Sequence, residues 1–162
     1  MNTATKSTDA NGPEAAAEMI DLLVVEDDPH DAELTLRALM KANLLNRVHV
    51  VRDGVEALEF LFGEGRHEGR RVEDVPRLVL LDLKLPKVNG LQVLRRIKND
   101  PRTRAIPVVI LTSSREQQDV DESYGLGVNS YIVKPVAFDR FAESVRQVGT
   151  YWLSLNQPPL AS

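Results

Sequence analysis

The chain has 162 residues, 43% of them apolar and 27% charged, which suits one domain with a core of its own and a tail at each end. A net charge of −4 gives no general attraction to nucleic acid. No apolar run approaches the roughly 20 residues that span a bilayer, and no basic segment leads into an apolar stretch near Met1, so neither a membrane span nor a signal peptide is expected.

With no cysteine there is no disulfide framework and no thiolate metal site, which fits a reducing cytoplasm. Residues 1–18 are small and polar, bury little surface and are expected to form a disordered tail. At Ile20 the pattern changes. The run Ile20–Val25 reads as a first strand and ends in Glu26, Asp27, Asp28 and Pro29. A helix follows over Asp31–Asn43, with Leu36, Leu39 and Met40 on one side. Val48–Val51 is a strand less apolar than the others and so nearer an edge. Gly54–Phe62 carries Val55, Leu58 and Phe62 at helical spacing.

The segment Gly63–Pro76 is a long polar connection, read as a solvated surface loop; the alternative is that Arg66, Arg70 and Arg71 touch an acidic partner. Leu78–Leu81 is a strand ending in Asp82. Leu91, Leu94 and Ile97 mark a helix stopped by Asn99, Asp100 and Pro101. Val108–Leu111 ends in Thr112, Ser113 and Ser114, and a weaker helix runs over Glu116–Tyr124. Tyr131–Val133 is a strand ending in Lys134 and Pro135. A last helix carries Phe138, Phe141, Val145, Val148, Trp152 and Leu155 on one stripe.

Apolar runs on consecutive residues imply strands buried on both faces. Strand and helix alternating five times imply an α/β fold with a doubly wound five-stranded parallel sheet over residues 19–150, leaving 151–162 as an extension. In such sheets the chemistry lies at the carboxyl ends of the strands. Those ends carry Glu26, Asp27, Asp28, Asp82, Thr112, Ser113 and Lys134. Crowded carboxylates call for a hard cation such as Mg²⁺, and a carboxylate can itself become an acyl phosphate. A lysine and a hydroxyl would then hold the phosphoryl oxygens.

Glu26–Asp27 after the first strand, Asp82 after the third, Thr112 after the fourth and Lys134–Pro135 after the fifth resemble the receiver domains of two-component response regulators, over about Ile20 to Val148. The resemblance implies the flavodoxin-like receiver fold, with Asp82 as phosphoacceptor. It implies Mg²⁺ on Glu26, Asp27, Asp82 and the Lys84 backbone carbonyl, and phosphoryl oxygens on Lys134, Thr112 and the Ser113 amide. A cis Lys134–Pro135 bond and a Thr112–Tyr131 switch pair are also implied. The Gly63–Pro76 loop and the ending Tyr151–Pro159 are similar to single-domain regulators that partner bacterial and cyanobacterial phytochrome kinases. The implied partners are a sensor histidine kinase of that kind, a histidine phosphotransfer protein and a second copy of the chain, in the cytoplasm.

Each residue also has a plainer reading. Asp82 can cap a turn, and Glu26 and Asp27 can face a helix dipole, as Asp28 before Pro29 is expected to do. Thr112, Ser113 or Ser114 can cap the next helix. Tyr131 can be a half-buried edge tyrosine. Lys84 and Ser114 flank the expected path of attacking water. His49 and His67 have no partner at metal spacing and read as surface residues. The stripe Phe141, Val145, Val148, Trp152 and Leu155 is either folded back or a dimer surface. A phosphorylation-independent adaptor and an aspartyl phosphatase remain as alternatives. The phosphatase would carry Asp-x-Asp after its first strand, whereas Asp82–Leu83–Lys84 follows the third.

Overall fold

A computed structural model describes residues 19–44 and 47–159; the expected N-terminal tail and residues 160–162 of the extension lie outside these. The strands β1 (Leu22–Val25), β2 (Val48–Val51), β3 (Leu78–Leu81), β4 (Val108–Thr112) and β5 (Ser130–Val133) form one parallel sheet in the order β2-β1-β3-β4-β5. Helices α1 (Pro29–Lys41), α2 (Gly54–Phe62), α3 (Gly90–Asn99), α4 (Gln117–Leu126) and α5 (Phe138–Thr150) connect and follow them. In β1, Leu22 and Val24 join Leu39, Phe141 and Val145 of α1 and α5 in one apolar layer. Leu23 and Val25 join Ala57, Leu61, Val93 and Leu94 of α2 and α3 in the other. Both faces are dry, which is why β1, β3 and β4 read as uninterrupted apolar runs.

β2 lies at one edge, as its composition implied. The other edge is β5, all of whose residues are only half-buried, so the expectation that it is covered on both faces is corrected. Lacking a neighbour beyond it, β5 keeps part of its surface in water. Met40 departs as well: it is exposed, because α1 turns Ala38 and Leu39 toward the sheet instead.

Local signals set the helix ends. The Asp28 carboxylate accepts from the His30 and Asp31 amides at 2.8 and 3.4 Å, with Pro29 in the first turn. Asp53 accepts from the Glu56 amide at 2.7 Å, and Asn89 with Gln92 forms a reciprocal cap on α3. Gly90 starts α3 directly against the Asp82 carbonyl, where a β-carbon would collide with backbone. That close approach ties α3 to the end of β3. After Thr150 the last helix widens into a π-helical turn, Tyr151–Leu155. Among the described residues no helix is long and apolar enough to cross a membrane.

Candidate functional site

Strand order reverses between β1 and β3, so the residues just past these strands border one crevice. Main-chain bonds prolong the ladder beyond the strands. The Glu26 amide donates to the Val51 carbonyl at 3.0 Å, that of Asp82 to Val25 at 3.1 Å and that of Lys134 to Thr112 at 2.7 Å. The side chains are therefore aimed by the sheet and not by a flexible loop. Glu26, Asp27 and Asp82 each bring a carboxylate oxygen to within 4.8 Å of the others. Glu26 and Asp82 are buried and Asp27 is exposed at the mouth.

Lys134 reaches into this cup from the far end of β5. Its ammonium donates to Glu26 Oε1 at 2.7 Å, Asp31 Oδ2 at 2.8 Å and Asp82 Oδ2 at 2.9 Å. Burial opposes the charge on Lys134, but these carboxylates outweigh it and hold the ammonium above the usual lysine range. Burial also pushes the Glu26 carboxyl up to about 7, against the pull of the lysine hydrogen bond and with a further push from Asp82. The acids are more than one lysine neutralises. The all-oxygen donor set of Glu26, Asp27 and Asp82 suits a hard cation such as Mg²⁺.

Asp82 Oδ1 accepts from the Lys84 amide at 3.2 Å, so the turn carrying the Lys84 carbonyl is fastened to the acid, while the Lys84 side chain is exposed. Thr112 is fully buried at the end of β4, and its hydroxyl accepts from the Ser114 amide at 3.4 Å. Ser113 is exposed and lines, with His30, Asp31, Lys134, Val136 and Phe138, a crevice of about 480 Å³ beside the acids. Ser114 is buried and donates to Asp119 at 2.6 Å, so it braces the first turn of α4 and does not lie open to water. Tyr131 is half-buried, with its hydroxyl on the Ser114 carbonyl at 3.0 Å; burial pushes its phenol up.

Several expectations need correction. No peptide bond among the described residues is cis, so Lys134–Pro135 is trans, the isomer an X–Pro bond intrinsically favours. Lys134 reaches the acids from that geometry. Phe141 and Val145 are buried in the core and Val148 and Trp152 pack on it half-buried, which leaves Leu155 as the well-exposed member of these five. Arg66 and Arg70 are not free: Arg66 pairs with Glu59 at 2.7 Å, and Arg70 lies 3.9 Å over the Phe60 ring. His49 and His67 are not isolated surface residues either, since both meet Glu56. Asp31 is the contact that sequence reading missed. Its signal was faint: an acid in the first turn of α1, one helical turn beyond a cluster of acids.

The family model described as the response regulator receiver domain matches residues 22–146. The bacteriophytochrome response regulator RtBRR is 52% identical, with a TM-score of 0.69 over 89% of this chain and 87% of that one. The phosphorylated cyanobacterial phytochrome response regulator RcpA is 38% identical, with a TM-score of 0.78 over 86% of this chain and 97% of that one. Response regulator Rcp1 of Synechocystis sp. (strain PCC 6803) is 36% identical over 86% of this chain and 93% of its own. Its Mn²⁺-bound form superposes with a TM-score of 0.78, covering 98% of that chain.

Proposed function

The chain belongs to the response regulator receiver domain family, and from that premise we propose that it is a phosphorylatable switch whose acceptor is Asp82. The observation that carries this reading is the Lys134 ammonium, which gathers Glu26, Asp31 and Asp82 within 2.9 Å from three separate elements. An Asp82 oxygen attacks the phosphorus of a phosphohistidine. The P–N bond breaks, its electron pair returns to the imidazole, and an acyl phosphate forms. Lys134 turns from the acids to a phosphoryl oxygen, and the Thr112 hydroxyl and the Ser113 amide take others. Mg²⁺ on Glu26, Asp27, Asp82 and the Lys84 carbonyl would neutralise charge between nucleophile and phosphoryl group. Tyr131 follows Thr112 as the switch residue.

The phosphodonor is a sensor histidine kinase of the phytochrome type, supported by the relatives named for phytochromes. The crevice beside Lys134, rimmed by the exposed Val136 and Phe138, gives the donor domain an apolar landing surface. The protein works in the cytoplasm as a phosphoacceptor and not as a turnover enzyme. Residues 19–150 are the working domain and 151–162 an extension. Output passes through a homodimer, other protein contacts or a histidine phosphotransfer protein.

Incubation with acetyl phosphate and Mg²⁺ tests the acceptor. The expected result is one acid-stable, base-labile phosphoryl group per chain, lost in Asp82→Asn. Absence of an adduct would favour an adaptor, and many turnovers would favour a phosphatase. Phosphotransfer profiling against histidine kinases tests the partner.

A further inference from the structure

A second cluster lies away from the acid cup, at the sheet edge. His49 on β2, Glu56 on α2 and His67 in a 3₁₀ turn (Gly65–His67) each offer a ligand atom, all within 4.8 Å of one another. The Nε2 atoms of both histidines are cut off from water and have no hydrogen-bond partner. Buried polar atoms are normally satisfied, so two orphans within one cluster need a physical reason. Glu56 does not supply it as a hydrogen-bond acceptor, because His67 Nε2 stands 3.9 Å from Glu56 Oε2. The other oxygen, Oε1, is oriented by the Arg52 amide at 3.4 Å and by Arg66 at 3.8 Å, which leaves Oε2 for the histidines.

The ring positions are fixed. His49 stacks on Phe60 with centroids 4.7 Å apart and meets His67 edge-on at 5.4 Å. Aromatic packing alone would account for the rings but not for both Nε2 atoms being orphaned. A cavity of about 410 Å³ adjoins them, lined by Ile20, Phe60, Arg66 and Arg70 as well as the two histidines. The neighbouring guanidiniums are held elsewhere, Arg66 on Glu59 at 2.7 Å and Arg70 on the Phe60 and Asp74 carbonyls at 3.1 and 2.9 Å.

We propose that His49, Glu56 and His67 form a second metal site, separate from the Mg²⁺ cup, for a borderline cation of the Zn²⁺ type. Two imidazoles with one carboxylate suit Zn²⁺ far better than Mg²⁺, and a tetrahedral site keeps a fourth position for water or another donor. Zn²⁺ bonds of about 2.0–2.2 Å need ligand atoms roughly 3.3 Å apart, so the turn carrying His67 closes in slightly on binding. The metal thereby fastens the Gly63–Pro76 connection to β2 and α2.

The test is Zn²⁺ titration of the tag-free full chain by calorimetry in millimolar Mg²⁺, which keeps the acid cup filled. Co²⁺ absorption serves as the spectroscopic probe. One equivalent should bind, with affinity lowered on the order of 100-fold in His67→Ala and in Glu56→Gln and unchanged in Asp82→Asn. Because His67 lies on a half-exposed turn, His67→Asn provides a second variant with a polar side chain, and it should lose binding in the same way. Equal Zn²⁺ affinity in wild type and both His67 variants, loss of binding in Asp82→Asn, or no binding to the wild type would each overturn the site.

Discussion

Lys134 and the divalent cation proposed for the cup draw on the same acids, Glu26 and Asp82. The Lys134 ammonium is the nearest positive charge to Glu26, Asp31 and Asp82, and its side chain is only 10% exposed. Removing it leaves buried carboxylates facing one another, a change that costs about 3 kcal/mol where no other charge compensates. Glu26, already pushed up to about 7 by burial, can relieve part of this by keeping its proton. Lys134→Ala should therefore lower the urea midpoint strongly in EDTA. Millimolar Mg²⁺ should restore at least half of the loss, while wild type gains less. Equal gains from Mg²⁺ in the two proteins would mean that lysine and metal do not serve the same acids.

At the scale of elements, the end of α3 is set by a short electrostatic clasp. The Asp100 carboxylate accepts from the Arg102 amide at 2.8 Å and from its guanidinium at 3.0 and 2.8 Å. The guanidinium bond is the larger of the causes that hold Asp100 at about 2, below its ordinary 3.8. A carboxyl depressed on folding adds stability above its unfolded value and loses it as pH falls. The contribution is complete above about pH 4 and fades as pH falls through 2. Asp100→Asn should flatten the stability-versus-pH curve between those values without altering its slope near neutrality. An unchanged acid limb would show that the clasp adds nothing. The stop at Asn99–Asp100–Pro101 was legible in sequence because it is local. So were Asp82 and Lys134, each following an apolar run that fixes its place in the sheet. Asp31 and the cluster of His49, Glu56 and His67 were not legible. They meet only because α1 overhangs the β1 end and the Gly63–Pro76 connection folds back over α2, and neither path has a sequence period. The dryness of β5 was overread for a similar reason: apolar composition does not reveal which strand is last in the sheet.

On the scale of the whole molecule, the turn after Thr150 divides its side chains between the core and the surface. Trp152 and Leu153 pack half-buried on the layer that holds Leu39, Phe141 and Val145. Tyr151 and Leu155 of the same turn point outward, Leu155 with 70% of its surface in water. The widened π-helical turn sets these side chains on opposite sides. Trp152→Ala should cost about 2 kcal/mol, less than the loss for a fully buried tryptophan because the ring is only half covered. Leu155→Ser removes no core contact and should leave stability within about 0.5 kcal/mol of wild type. If the proposed homodimer forms through the outward side, Leu155→Ser shifts wild-type association toward monomer in light scattering, and Trp152→Ala weakens association only as far as it unfolds the domain. The opposite pattern, with Leu155→Ser destabilising the fold and leaving association untouched, would place the extension wholly inside the monomer.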